Sequence, residues 1–110
     1  MVLDVHDSSG AAHKIQAVID TGFGGYLTLP SSAIRSFELA SVGRQSGILA
    51  DGSKVFFDVY AGEVLWEGTK RRIELHAADA DPLVGMAMFA EHEIKIHVKN
   101  GGAVEVVHKA

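Results

Sequence analysis

The sequence predicts a mainly β fold, a barrel or sandwich with one or two short helices. Three observations carry this. Short β-type runs alternate with glycine and Asp/Ser turns, the turn signals recur at regular spacing, and 47% of the 110 residues are hydrophobic, enough for a proper core. No linker, repeat or low-complexity tract interrupts the pattern, so residues 1–110 are expected to form one domain.

Each element has a local reason. Residues 2–6 are a first apolar run, and Asp7-Ser8-Ser9-Gly10 is a turn. Residues 15–20 return as the second arm of a hairpin. Residues 26–29 make a short third strand, stopped by Pro30, and Pro30-Ser31-Ser32 opens a short helix through Ala33-Ile34-Arg35. A longer hairpin follows: Gly47-Ile48-Leu49-Ala50 leads in, Asp51-Gly52-Ser53 turns, and residues 54–60 lead out. Asp-Gly between β-prone runs is a strong hairpin signal. Residues 62–66 and 71–76 flank the turn Glu67-Gly68-Thr69. Pro82-Leu83-Val84-Gly85 precedes a Met-rich piece, residues 86–90, expected to be a brief helix. Residues 93–98 alternate with period 2, as a half-exposed strand does, and Asn100-Gly101-Gly102 turns into a last strand over residues 104–107.

Bulk properties exclude several classes of function. The formal net charge is −4, and the only tight basic cluster is Lys70-Arg71-Arg72, read as a solvated strand end, so no nucleic-acid partner is expected. There are no cysteines, which excludes disulfides, thiol catalysis and cysteine-ligated zinc and favours a reducing compartment. The first residues lack the basic start and apolar stretch of a signal peptide. No apolar run approaches about 18 residues, so no membrane span is expected. The expected location is the cytoplasm. A domain of this size buries a limited share of its surface, so association with a second copy would help it.

The chemistry begins at Ala17-Val18-Ile19-Asp20-Thr21-Gly22-Phe23-Gly24-Gly25, where three apolar residues run straight into an acid. Burying an unpaired carboxylate is costly, so Asp20 is either the first residue of a surface turn or an acid whose surroundings use it. Asp and Gly are common in ordinary strand-ending turns. The glycines do not make a dinucleotide fingerprint, which needs glycine where Leu27 stands, and no P-loop lysine follows. Among the six histidines, His92 and His97 are one residue too far apart for the helical zinc pair, and on a strand they face opposite sides; both read as surface residues. No metal is expected. Met86, Met88 and Phe89 read as core, Asp79 and Asp81 as turn residues before Pro82, and Trp66 has no assigned role.

Three stretches taken together resemble the single-lobe, retropepsin-like aspartic proteases, and especially the small bacterial predicted aspartyl proteases of that clan. They are VIDTGFGGYLTLP at residues 18–30, LADGS at residues 49–53 and DPLVGMAMF at residues 81–89. They occur in the family's order: acid loop, flap hairpin, then an apolar-apolar-Gly element. The resemblance implies a closed single-lobe acid-protease barrel and an aspartic endopeptidase with no cofactor. Cleavage without metal or covalent nucleophile needs an activated water and a proton donor. Two carboxylates about 3 Å apart supply both, because they do not comfortably ionise together. The chain has one such acid loop, so the second carboxylate would come from Asp20 of another copy across a two-fold axis, making a homodimer.

On this resemblance Asp20 is catalytic. Thr21 hydrogen-bonds across the dimer, and Gly22 lets backbone N–H groups approach the carboxylates. Val84 and Gly85 buttress the loop. Phe23, Gly24 and the flap residues Leu49, Ala50, Asp51, Gly52 and Ser53 contact a peptide or protein substrate. Activity would be best at mildly acidic pH. Phe23, where retroviral members carry a small residue, and the Ala50-Asp51-Gly52 tip, where theirs is glycine-rich, both match the bacterial subgroup. The same departures motivate an alternative, a non-catalytic peptide-binding or assembly module on this fold. A third reading, a small-ligand β-barrel, requires a closed apolar cavity.

Overall fold

The computed structural model describes residues 1–48 and 51–109. Leu49 and Ala50, two of the expected flap residues, lie outside the described residues. Strand β1 (Val2–His6) pairs antiparallel with β2 (Ala12–Gln16) in the register Val2↔Gln16 to His6↔Ala12. The turn between them is fastened by Asp7, whose Oδ1 accepts the Ser9 and Ala11 N–H groups and whose Oδ2 meets His13 Nε2 at 2.8 Å.

The second run is not one strand. It breaks at Ala17, which is 1% exposed, and resumes as β3 (Val18–Ile19). The Ala17 N–H donates to the Met1 carbonyl at 2.8 Å and the next N–H, of Val18, donates to the Pro82 carbonyl at 2.9 Å. Successive N–H groups of a strand point to opposite sides, so this single corner joins the two ends of the sheet. The sheet runs β2-β1-β6-β7-β4-β8-β3, and the β2–β3 corner nearly closes it into a barrel. Its remaining members are β4 (Leu27–Leu29), β5 (Ala40–Ile48), β6 (Lys54–Trp66), β7 (Thr69–Ala77) and β8 (Leu83–Val84). Strand β4 is parallel to β7, and β3 is parallel to β8. A separate antiparallel pair, β9 (His92–Ile96) and β10 (Val104–His108), packs Ile94 and Val106 on the core.

The barrel interior is filled by side chains. Leu27, Leu29, Leu75, Val5, Val64 and Val84 are fully buried, and Met88 and Phe89 belong to the same core cluster. The one helix among them, α1 (Ser31–Phe37), starts at Pro30 and ends at Glu38 in the left-handed region, φ 55°. It turns Ile34 and Phe37 into the core.

Strand β6 merges two runs that the sequence separates at Gly62. Val55, Phe57 and Val59 face inward on its first half, but Val64 and Trp66 do so on its second, so the buried parity switches between them. Gly62 sits at the switch, where a Cβ would run into the Leu75 side chain. One half of β6 thus belongs to the barrel and the other to the β5–β6 hairpin. Strand β5 begins at Ala40, well before the expected Gly47, and is the exposed edge strand; a bulge shifts its register between Ser41 and Gly43.

Other readings change as well. Residues 86–90 are not helical but form successive turns, with the Met88 N–H on the Gly85 carbonyl and the Phe89 N–H on the Met86 carbonyl, both at 3.1 Å. Met86 is 40% exposed and so is not core. The His92 side chain is 3% exposed: its Nε2 lies 3.2 Å from Trp66 Nε1 and 2.9 Å from Glu67 Oε1, and its Nδ1 lies 2.8 Å from the Ala90 carbonyl. It is therefore a packed residue, and Trp66 is a core residue beside it. Arg71 is half-buried, donating to the Met88 carbonyl and covering the Tyr26 ring, while Lys70 and Arg72 are exposed. No helix among the described residues is long and apolar enough to cross a membrane.

Candidate functional site

The acid loop leaves β3 at Asp20 and reaches β4 seven residues later, at Leu27. Its first residues form a tight turn. The Phe23 N–H donates to the Asp20 carbonyl at 3.1 Å, and the Gly22 N–H donates to Asp20 Oδ1 at 2.9 Å. This is the ordinary Asx geometry of an Asp two residues before an N–H. A Cβ on residue 22 would stand 3.3 Å from Asp20 Oδ1, so glycine is what lets the backbone come this near the carboxylate. Asp20 is half-buried, and Thr21, Gly22 and Gly24 are exposed.

What distinguishes this turn is the hold on it from a remote segment, residues 82–87. The Asp20 N–H donates to the Val84 carbonyl at 2.9 Å. In return, the Gly85 N–H donates to the Tyr26 carbonyl, the Met86 N–H to the Phe23 carbonyl and the Ala87 N–H to the Gly25 carbonyl, at 2.8–3.1 Å. The Leu83 N–H donates to Thr28 Oγ1 at 2.9 Å. Thr28 is a buried polar residue, and its hydroxyl serves to complete this lacing. A Cβ on Gly85 would collide with the Gly25 and Phe23 carbonyl oxygens and the Phe23 ring. Asp20, Gly22, Val84 and Gly85 are therefore brought together in one hydrogen-bonded unit.

The β5–β6 hairpin rises beside this unit. Ile48 pairs with Lys54, and the tip carries Asp51, Gly52 and Ser53. Asp51 Oδ1 accepts both the Ser53 N–H at 2.9 Å and the Ser53 hydroxyl at 2.6 Å, which holds its carboxyl below the usual carboxylate range. Gly52 has φ 85°, which a side chain rarely tolerates.

Between the acid loop and the hairpin lies an open cleft of about 500 Å³. Its walls are Phe23 and Gly24 from the loop, Gly47, Ile48, Val55 and Phe57 from the hairpin, and His76 with Ala77 and Ala78 from the end of β7. Asp20, Thr21 and Gly22 are not among the lining residues, nor are Asp51, Gly52 and Ser53. The cleft of one chain thus brings Phe23 and Gly24 to the hairpin but leaves Asp20 beside it.

Sequence reasoning did not single out His76. Its imidazole packs against Phe57, with ring centroids 4.6 Å apart, and against Phe23, at 5.6 Å. Burial lowers its pKa, and the nearby Glu74 carboxylate partly offsets this. The alternation in Ile73-Glu74-Leu75-His76 marks Ile73 and Leu75 as buried and leaves His76 on the opposite face. Only the tertiary path of the Phe23 loop turns that face into a cleft wall. Thr28 also went unnoticed, because Thr in a strand is ordinarily read as β propensity alone. No group of three or more His, Asp or Glu residues placed to hold a metal occurs among the described residues.

No family model matches the sequence, and no curated protein matches it. Among solved structures, the chain is similar to the solution structure of the protease of Simian Foamy Virus (mac), with a TM-score of 0.56 at 16% identity. The likeness covers 82% of this chain and 92% of that chain. At that identity it is a likeness of fold. The chain has a mainly β, retropepsin-like single-lobe fold.

Proposed function

We propose that the chain is an aspartic endopeptidase that works as a homodimer. The observation that carries this reading is the acid loop: an Asp-Thr-Gly turn whose carboxylate accepts the Gly22 N–H, laced to the Val84-Gly85 segment, in a retropepsin-like fold. One Asp20 from each chain would face the other across a two-fold axis, close enough to share a proton. The charged member would draw a proton from water, and the protonated member would give its own to the carbonyl oxygen of the scissile peptide. One chain alone cannot perform this cycle, which is consistent with an Asp20 that sits beside its own cleft and not within it.

The remaining residues take supporting roles. Among the described residues the Thr21 hydroxyl makes no hydrogen bond, leaving it free to bond across the dimer. Gly22 keeps the N–H groups close to the carboxylates, and Val84 and Gly85 fix the loop. The hairpin, with Asp51, Gly52 and Ser53 at its tip, would close over an extended peptide and exclude water. Phe23 and Gly24 would contact the substrate, gripped largely through its main chain. Phe23 and the acidic tip favour the bacterial subgroup of the clan, and a cytoplasmic location fits the lack of cysteine.

The test is Asp20→Asn. Cleavage of a peptide library at pH 4–6 should vanish while circular dichroism and sedimentation mass stay those of the parent protein; retained cleavage overturns the reading. A second reading, a peptide-binding module that hydrolyses nothing, is favoured by one observation: the cleft is walled by Phe23 and does not contain Asp20. Peptide binding by the parent protein without turnover, and no affinity for a statine-type mimic of the tetrahedral intermediate, would select it.

A further inference from the structure

We propose that His76 makes the cleft beside the acid loop a subsite selective for a carboxylate side chain of a bound peptide. The inference rests on the peptide-binding reading above and deepens it by naming the substrate class. It starts from the composition of the cleft. Every lining residue except His76 is incapable of ionising: the walls are aromatic, aliphatic and glycine, with the Thr28 hydroxyl already accepting the Leu83 N–H. A ligand carboxylate entering this space gives up part of its water and finds one side chain able to meet it with a positive charge.

The imidazole is built into place. Phe57 and Phe23 both pack against its ring. Gly25 makes room for this arrangement, since a Cβ there would lie 2.6 Å from Phe23 Cζ and 3.2 Å from His76 Cε1. Gly47 does the same for Phe57, with 3.3 Å to Cε1. Neither imidazole nitrogen has a hydrogen-bond partner among the described residues. An ordered ring with uncommitted nitrogens, walled mostly by apolar groups, offers a ligand a directional contact that becomes charge-assisted when the ring is protonated.

Neighbouring charges do not pre-empt it. On β7, Glu74 is two residues away and favours the charged imidazole. On the hairpin, Arg44 and Asp58 pair with each other at 3.4 Å and Asp51 is held by Ser53, while Lys54 is exposed at the start of β6. On the acid loop the charged residue is Asp20, outside the cleft lining. Burial keeps the empty cleft's imidazole neutral more readily than an exposed one. A peptide carboxylate reverses this by supplying a charge-assisted hydrogen bond. The selectivity therefore rises as pH falls through the imidazole range. It disappears again near pH ~4, where the peptide carboxyl itself takes up a proton.

The experiment uses two peptides from a library screen that differ only by Glu or Gln at the selected position. Their cleavage by the parent protein, and their binding to Asp20→Asn by fluorescence polarisation, are followed from pH 4 to 8. The Glu peptide should be preferred by roughly tenfold near pH 5, the range of one charge-assisted bond, and by little at pH 8. His76→Gln, folded by circular dichroism, should remove the preference at every pH while still taking the Gln peptide. Equal use of both peptides at all pH values overturns the proposal. So does a preference that survives in His76→Gln, or the absence of binding by any library peptide. Binding with this pH profile but without cleavage would refute proteolysis and leave the subsite standing.

Discussion

Two turns in this molecule share one local chemistry and have different surroundings. At Asp20 and at Asp51 the carboxylate Oδ1 accepts the N–H of the residue two positions on, each at 2.9 Å. Both turns contain glycine. The first is half-buried and laced by main-chain hydrogen bonds to residues 84–87, some sixty positions away in the chain. The second stands at an exposed hairpin tip, where Ser53 supplies its carboxylate contacts. The comparison teaches that an Asp-x-Gly or Asp-Gly turn carries little functional information by itself. The remote segment that locks a turn in place is what marks one acid as a candidate for chemistry.

The sharpest way to break the comparison is to neutralise each acid in turn. Asp20→Asn should lower peptide cleavage by ~10²–10⁴-fold or more, the range of a lost general acid or base. Asp51→Asn should leave kcat within the scatter of the parent protein. Equal losses at the two positions would mean that the tip carboxylate takes part in the reaction.

The glycines extend the contrast to stability. Gly85→Ala drives a Cβ into two backbone carbonyls and the Phe23 ring, none of which can yield without loosening the acid loop. It should cost about 3 kcal/mol or more in urea unfolding. Gly52→Ala meets nothing within 4 Å and is penalised only by its φ of 85°. About 1 kcal/mol is expected there. Similar costs at both sites would show that residues 84–87 do not clamp the loop.

This contrast also explains what was legible in the sequence. Asp-Gly at the hairpin tip, Asp-Thr-Gly at the acid loop and Pro30 before α1 are turn and helix signals written in adjacent residues, and the structure has these elements where the signals stand. Features set by distant partners were not legible. Residues 40–46 form an exposed, polar edge strand only because β6 supplies its hydrogen bonds. The corner at Ala17 exists because its two flanks pair with opposite ends of the sheet. Met86-Ala87-Met88 reads as helical by composition, yet its N–H groups are drawn to the carbonyls of Phe23, Gly25 and Gly85. His92 looks like a strand-surface residue until the β6–β7 turn brings Trp66 and Glu67 to it.

A smaller effect probes the lacing through a side chain. Thr28→Val keeps the shape but removes the acceptor of the Leu83 N–H, so one donor beneath the acid loop is left unpaired. The expected cost is about 1–3 kcal/mol, with Thr28→Ser recovering most of it. A neutral Thr28→Val would mean that the segment is held by its main-chain bonds alone.

The smallest effect concerns the charge at the hairpin tip. Ser53, through its hydroxyl and its N–H, keeps the Asp51 carboxyl below its ordinary pKa of 3.8. A carboxyl depressed in the folded chain contributes stability above its unfolded pKa and loses that contribution as pH falls through the lower folded value. The tip's share is therefore complete at neutral pH and is withdrawn only below about pH 4. Because the group is fully exposed, solvent screens it and the change in melting temperature should be slight. A carboxyl-carbon NMR titration reads it directly: the Asp51 midpoint should lie below 3.8 in the parent protein and rise toward that value in Ser53→Ala. A midpoint above 3.8 in the parent protein would mean that Asp51 faces another acid or an apolar wall instead of its own turn. The hairpin tip would then have surroundings of its own, and the contrast with the Asp20 loop would fail at its exposed end.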